Sequence, residues 1–131
     1  FGMWNKIKDS FPDRFINTGA AEMAAIGIAI GLAESDKIPF IYSITPFLLA
    51  RPYELLRNYI NHEKIPVKLI GSGREQDYEH DGFSHFAGDD KQILSAFPNI
   101  QCFWPMTKSD MKYSVKWCIE TPVPIYINLK R

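Results

Sequence analysis

Cysteine is scarce in this chain, with two residues in 131, Cys102 and Cys118. Both lie in apolar segments without metal-ligand spacing, so they read as two buried, reduced thiols. An excess of charge of one sign is missing too. Fifteen basic residues balance fifteen acidic ones, which argues against general binding to nucleic acid or to a membrane surface. No apolar run is long: Ala20–Ala33 falls short of the roughly 20 residues that span a bilayer. No charged-then-apolar signal peptide opens the sequence, so the expectation is a cytoplasmic protein. Repeats, low-complexity tracts and Gly/Ser linkers are absent, as are Gly-x-Ser-x-Gly, P-loop and dinucleotide motifs. What remains is an ordinary globular composition, 46% hydrophobic and 23% charged, long enough for one domain with a real core.

Apolar runs alternate with helical patterns along the chain. Ile38–Ser43 reads as a strand, with Pro39 tolerable only near its start. Phe47–Asn61 reads as a helix with Arg51, Glu54, Arg57 and Asn58 on its polar face. Val67–Ile70 is a strand ending in Gly71-Ser-Gly73, Lys91–Phe97 a short helix and Ile100–Trp104 a strand. Thr107-Lys-Ser-Asp110 has the form of a capping box opening a helix to about Glu120, and Pro124–Leu129 is a last strand. This alternation predicts an α/β domain whose mainly parallel sheet carries helices on both faces. Ligands in such sheets sit at the carboxyl ends of strands, where the loop Gly71–Gly82 falls. The opening Phe1-Gly-Met-Trp4 is apolar with no strand before it, and Leu129-Lys-Arg131 stops straight after a strand. Residues 1–131 are therefore expected to be one domain, a piece of something larger.

Two stretches could hold chemistry. In RFINTGAAEMAAIGIAIGLA, from Arg14 to Ala33, Glu22 is the one charge between Arg14 and Glu34. Thr18 or Gly19 can cap a helix here, and Glu22 then sits in the first turn near the positive end of the helix dipole. That placement suits an acid that only steadies the helix. It equally suits a buried functional acid, because Ala20, Ala21, Met23, Ala24, Ala25 and Ile26 leave it no polar face. Gly27 and Gly31 stand four apart and permit another backbone to approach closely. The second stretch, Glu79-His-Asp-Gly-Phe-Ser-His85, follows a strand. An Asp-Gly turn, a polar substrate-contacting loop and a metal site all fit its residue types, and its spacing matches no strong ligand motif.

Asn17-Thr-Gly-Ala-Ala-Glu22 followed by Ile26-Gly-Ile-Ala-Ile-Gly-Leu-Ala33 resembles the pyrimidine-binding domain of the transketolase family. That family carries Gly-x-Ala-Glu-Gln before an Ile-Gly-x-Ala-x-Gly-Leu-Ala helix. The resemblance continues through Pro39-Phe40, Pro46–Glu54, Val67–Gly73, His80-Asp-Gly-Phe-Ser-His85, Pro98-Asn99 and Pro124–Ile127, nearly the whole chain in order. It is nearest to the transketolase-like and deoxyxylulose-phosphate-synthase-like thiamine-diphosphate enzymes.

The resemblance implies a three-layer thiamine-diphosphate-binding fold and a transferase moving a two-carbon ketol unit between sugar phosphates. Glu22 matches the acid that hydrogen-bonds the aminopyrimidine ring nitrogen and favours the imino tautomer, whose nitrogen accepts the thiazolium C2 proton. An apolar setting is expected to raise the pKa of that acid. Phe47 matches the aromatic that stacks on the pyrimidine, and Ile44 stands where a second pocket aromatic is frequent. Asp81 and His85 match substrate-contacting residues, His85 also being catalytic, and Arg51 matches a pocket arginine on the substrate side. Departures are Met23 for the family's Gln, and the charged Arg74-Glu-Gln-Asp77 with Glu79 where small residues are common, which is expected to change the substrate mouth. The Gly-Asp-Gly motif that binds the diphosphate is absent, and Gly88-Asp-Asp90 lacks its second glycine. Magnesium ligands are therefore expected outside this chain, on a diphosphate-binding domain or subunit, with a second copy of this domain as homodimer partner. The competing reading is a non-catalytic interaction or regulatory module that kept the fold and the dimer surface.

Overall fold

Successive strand residues point to opposite faces of a sheet, and here each face has its own core. The computed structural model describes residues 2–131, with side chains from Trp4 onward. Strands β1 (Phe40–Ile44), β2 (Lys68–Ser72), β3 (Gln101–Phe103) and β4 (Ile125–Leu129) form one parallel sheet in the order β1-β2-β4-β3. Leu69 and Tyr126 pair on one face; Ile70 and Ile127 pair on the other.

Against the first face pack α2 (Glu22–Glu34), α3 (Thr45–Ala50), the segment Tyr53–His62 and α5 (Asp90–Ser95). They deliver Ile26, Leu48, Leu56, Ile60 and Leu94 to Leu69 and Tyr126. Against the second lies α6 (Lys108–Glu120), whose Cys118 meets Ile125 and Ile127. Helix α1 (Gly2–Ser10) also covers this face: its Trp4 ring is 4.5 Å from Tyr42, the register partner of Ile70. The expected three layers with helices on both faces are present. No helix among the described residues is long and apolar enough to cross a membrane.

Most expected elements appear with shifted ends. Pro39 precedes β1 and moves its start to Phe40, since proline offers no N–H to a ladder. The helix expected over Phe47–Asn61 is broken. Pro52 lacks an N–H and its ring collides with the carbonyl of Leu48, so α3 ends at Ala50 and a short turn Tyr53–Leu55 (α4) runs into a wide π-helical stretch, Leu56–His62. Helix α1 had no counterpart among the expected elements, and Phe1 lies outside the described residues. Neither Thr18 nor Gly19 caps α2: the cap position is Ala21, without a side-chain bond, and Asn17 Oδ1 instead accepts from the Gly19 N–H at 2.9 Å. The Thr107–Asp110 capping box is formed in both directions.

Helix α2, apolar on every side, is buried on one side only. Ile26, Ala29, Ile30 and Ala33 face the core, while Gly27, Gly31, Met23 (53% exposed) and Ile28 (42%) face outward. Of the two cysteines, Cys118 is buried and Cys102 half-buried, and both are free thiols. Burial, and then the nearby Asp90, push the Cys102 thiol up to about 12. Lys68, buried inside β2, is held by two carbonyls: Nζ donates to Thr121 O at 2.9 Å and Val123 O at 2.6 Å.

Candidate functional site

The carboxyl ends of β1 and β2 open on the same side of the sheet. β1 leads directly into α3, and β2 into the long loop from Gly73 to Ala87. The first residue of α2 reaches the same place. Glu22 accepts a hydrogen bond at Oε1 from Ser43 Oγ (2.9 Å), near the end of β1, and at Oε2 from Arg51 Nη1 (2.6 Å), just beyond α3. Arg51 also lies over the Phe47 ring, its guanidinium carbon 4.0 Å from the centroid. On the loop side, the His85 ring meets Phe47 edge-on at 4.9 Å between centroids.

The structure thus brings together four of the residues singled out in the sequence: Glu22, Phe47, Arg51 and His85. Ile44, half-buried, closes β1 beside Ser43 as the cap position of α3. Asp81 lies on the same loop, but its carboxylate pairs with the neighbouring His80 at 3.3 Å rather than with this cluster. Arg51 belongs with the acid and the aromatic, a grouping that its place on a helical polar face did not foretell.

The charge state of Glu22 reverses one expectation. Burial does push its pKa upward, but hydrogen bonds from Arg51, from its own backbone N–H and from Ser43, together with the Arg51 charge, outweigh burial. The carboxyl sits below its ordinary value of 4.5. Asp77 is likewise held below 3.8: burial pushes upward, and bonds from the Arg131 and Arg74 N–H groups pull further down. Carboxyls with depressed folded values stabilise the fold above their unfolded values and lose that contribution as pH falls through the folded ones. The melting temperature should therefore be flat from about pH 7 to 5 and decline below about pH 4. Replacing Arg51 by Met should raise the Glu22 pKa, read directly from its carboxyl carbon by NMR; an unmoved titration would contradict the Arg51–Glu22 pairing.

The loop carrying His85 is fixed at several points. Gly73 turns with φ +87°, and a Cβ there would lie 2.4 Å from the Tyr78 ring; only glycine combines that backbone with that contact. Arg74 turns inward: Nε donates to Asn128 Oδ1 (2.7 Å), and Nη2 to Asn128 O (2.7 Å) and Pro105 O (2.8 Å). Asp77 accepts from the Arg74 and Arg131 N–H groups, both at 2.9 Å. The expectation that this charged run reshapes the substrate mouth is thus corrected for Arg74 and Asp77, which are struts. Glu75 and Glu79 remain exposed.

Comparison with known proteins gives the chain a family. Residues 1–131 match the family described as transketolase, pyrimidine binding domain. This chain belongs to that family. Among curated relatives it is 34% identical over 121 residues to a putative transketolase C-terminal section of Methanocaldococcus jannaschii, covering 92% of this chain and 38% of the relative. It is 32% identical over 119 residues to one of the subunits of an apulose-4-phosphate transketolase from Actinobacillus succinogenes, covering 91% of this chain and 38% of that one. A solved structure titled split gene transketolase, inactive beta4 tetramer, superposes with a TM-score of 0.82 at 34% identity, over 95% of this chain and 40% of the other. Transketolase from Leishmania mexicana shares the fold, with a TM-score of 0.76 at 20% identity over 83% of this chain. This chain spans under two-fifths of the length of those two curated relatives.

As a transketolase pyrimidine-binding domain, the chain can be tested against the cofactor its family implies. Arg51 performs the test. Its guanidinium is a flat, N–H-donating cation that lies on Phe47 while bonding Glu22. An aminopyrimidine is also flat and suits the Phe47 face; its ring nitrogen accepts rather than donates, so it fits Glu22 where one proton is shared between the two. Ser43, which the sequence reading missed, is the other partner of the acid. Its only signal was position, as the polar residue in the otherwise apolar run Phe40–Ile44.

Proposed function

We propose that this chain is the pyrimidine-binding part of a thiamine-diphosphate-dependent, transketolase-like transferase that moves a two-carbon ketol unit between sugar phosphates. The observation that carries this reading is the arrangement of Glu22, Arg51 and Phe47: an acid and an aromatic face already hold a flat nitrogenous donor between them. When bound, thiamine diphosphate supplies a nucleophilic carbon able to break and re-form the bond next to a ketose carbonyl.

The chain's own residues then have distinct tasks. Phe47 provides the stacking face, and Ile44 is assigned to the same pocket. Glu22 binds the ring-nitrogen edge and holds or releases a proton at its Oε atoms. That task requires a carboxyl able to share a proton, so Arg51 has to give up its bond when the ring arrives. Burial at the head of α2 then acts on Glu22 unopposed by that cation and raises its pKa. Arg51, with a side chain 45% exposed, is free to turn toward an anionic group of the substrate. His85 and Asp81 present polar groups from the loop to the ketose hydroxyls and carbonyl.

The diphosphate and its magnesium ion fall to a diphosphate-binding domain or subunit, consistent with relatives named as transketolase sections and subunits. A second copy of this domain is assigned to the outward face of α2. Among the described residues nothing beyond the helix itself lies within 4 Å of a Cβ built on Gly27 or Gly31, so that face has room for side chains within one chain and is left open to a partner. Gly31→Leu should therefore leave the single fold intact, with a helix-propensity gain of up to about 1 kcal/mol, yet abolish self-association in sedimentation. An unmutated chain that is monomeric at micromolar concentration would refute the assignment.

Ketose kinetics of the assembled enzyme test the substrate loop. Asp81→Ala and His85→Ala should each lower ketose turnover by about 10²-fold or more while changing thiamine-diphosphate affinity little. Equal and large losses of cofactor affinity would place both residues at the cofactor instead. If all of these variants and the parent lack transferase activity beside a competent partner, the chain is a non-catalytic module of the same fold.

A further inference from the structure

Beneath the site lies a buried polar chain that the functional reading does not use. Asp90, the first residue of α5, is 6% exposed and has no ion-pair partner among the described residues. Its Oδ2 accepts instead from two neutral donors, Trp104 Nε1 at 2.7 Å and the Tyr126 hydroxyl at 3.3 Å. The cap position of α5 is Asp89, which makes no side-chain capping bond, and the two bonds given for the Asp90 carboxylate go to Trp104 and Tyr126 rather than to the helix. A buried carboxylate is costly, and helix support alone does not account for this one.

The bonds continue in one direction. The Tyr126 hydroxyl has a single hydrogen, which burial holds firmly on the oxygen. Once that hydrogen is given to Asp90, the oxygen can only accept, and it does so from Asn128 Nδ2 at 3.0 Å. The same amide nitrogen faces Thr45 Oγ1 and Gly73 O, both at 3.1 Å. Thr45 Oγ1 in turn donates to Gly73 O at 2.9 Å. Tyr126, Asn128 and Thr45 are all essentially inaccessible to solvent. The acid thus orients the Asn128 amide, with Nδ2 toward Thr45 and Gly73 and Oδ1 toward Arg74.

The two endpoints are where two parts of the site begin. Thr45 opens α3, two residues before Phe47, and Gly73 opens the loop that returns to Asp90 after presenting Asp81 and His85. We propose that Asp90 is a positioning residue: through Tyr126 and Asn128 it fixes Thr45 and Gly73, and so sets the His85 loop against Phe47. Its catalytic consequence rests on the transferase reading above; its effect on the loop does not.

Two readouts separate these levels. In the assembled enzyme, Tyr126→Phe and Asp90→Ala should each raise the ketose KM by about tenfold while thiamine-diphosphate affinity changes less than about threefold. The double variant should be no worse than the poorer single one, since both break the same link. Asp90→Asn keeps an acceptor oxygen and should restore most of the loss. Independently of any activity, amide exchange in residues 79–87 should quicken by about tenfold in Tyr126→Phe, with the amides of β2 and β4 unchanged. Unchanged exchange in the loop, exchange rising uniformly over the sheet, or additive effects in the double variant would each overturn the proposal. An enzyme without ketol transfer but with the loop selectively loosened would instead refute the functional reading alone. Tyr126→Phe fills the same buried space, so the test stands even if Asp90→Ala fails to fold.

Discussion

Glu22→Ala in the assembled enzyme is expected to lower turnover by about a thousandfold or more and to leave the fold as it is. The loss follows from the proposed role of the carboxyl, which is to bind a ring nitrogen of the cofactor and exchange a proton with it. The fold should survive because the partners left behind are not stranded. Arg51 is nearly half exposed and Ser43 is partly so, and both can be taken over by water. What is lost is one exposed-partner ion pair, worth about 0–1 kcal/mol, and a favourable acid at a helix N-terminus, worth about 0.3–1 kcal/mol. Alanine's helix propensity offsets part of this. Melting temperature should accordingly move by only a few degrees. Glu22→Gln sharpens the result, because the amide preserves shape and hydrogen bonding but cannot share a proton; it should be nearly as slow. Activity within about tenfold of the parent in either variant would remove Glu22 from the chemistry.

How far the sequence foretold this arrangement depends on the range of the forces involved. Period-2 and period-3.6 patterns are local, so all four strands and the helices on Glu22–Glu34 and Lys108–Glu120 were legible, with ends off by a residue or two. The polar stripe Arg51, Glu54, Arg57 and Asn58 implied one helix over Phe47–Asn61, while Pro52 within it breaks that helix, because proline's steric veto is the stronger effect. Glu22 stood out as a charge without a polar face, and the expectation of a raised pKa followed from burial alone. The cation that reverses it comes from Arg51, across a strand and a helix, and no local pattern reports such a pairing. Arg74 and Asp77 looked like surface charges and became struts for the same reason. Asn128 is the instructive omission. A polar residue inside Ile125–Leu129 was a legible signal of a buried network, while its partners Asp90, Tyr126 and Thr45 are joined only by the parallel crossover topology.

The isolated chain is expected to be inactive and to hold thiamine diphosphate weakly. Most of the cofactor's charge lies in its diphosphate, and a diphosphate with magnesium needs carboxylate and amide oxygen ligands, which the proposed function assigns to a partner. On this chain remain a stacking face at Phe47 and a hydrogen bond to Glu22, together worth a few kcal/mol. Micromolar affinity requires about 8 kcal/mol. Arg51 lowers the balance further, because it already occupies both contacts and has to be displaced. Calorimetric titration with thiamine diphosphate and magnesium, first of this chain alone and then of an equimolar mixture with a diphosphate-binding subunit, tests the claim directly. The expected result is a dissociation constant no tighter than about 1 mM alone and micromolar binding in the mixture, lost again when Phe47 is replaced by Ala. Micromolar binding by the chain alone, or ketol transfer by it unaided, would show that the whole catalyst lies within these 131 residues.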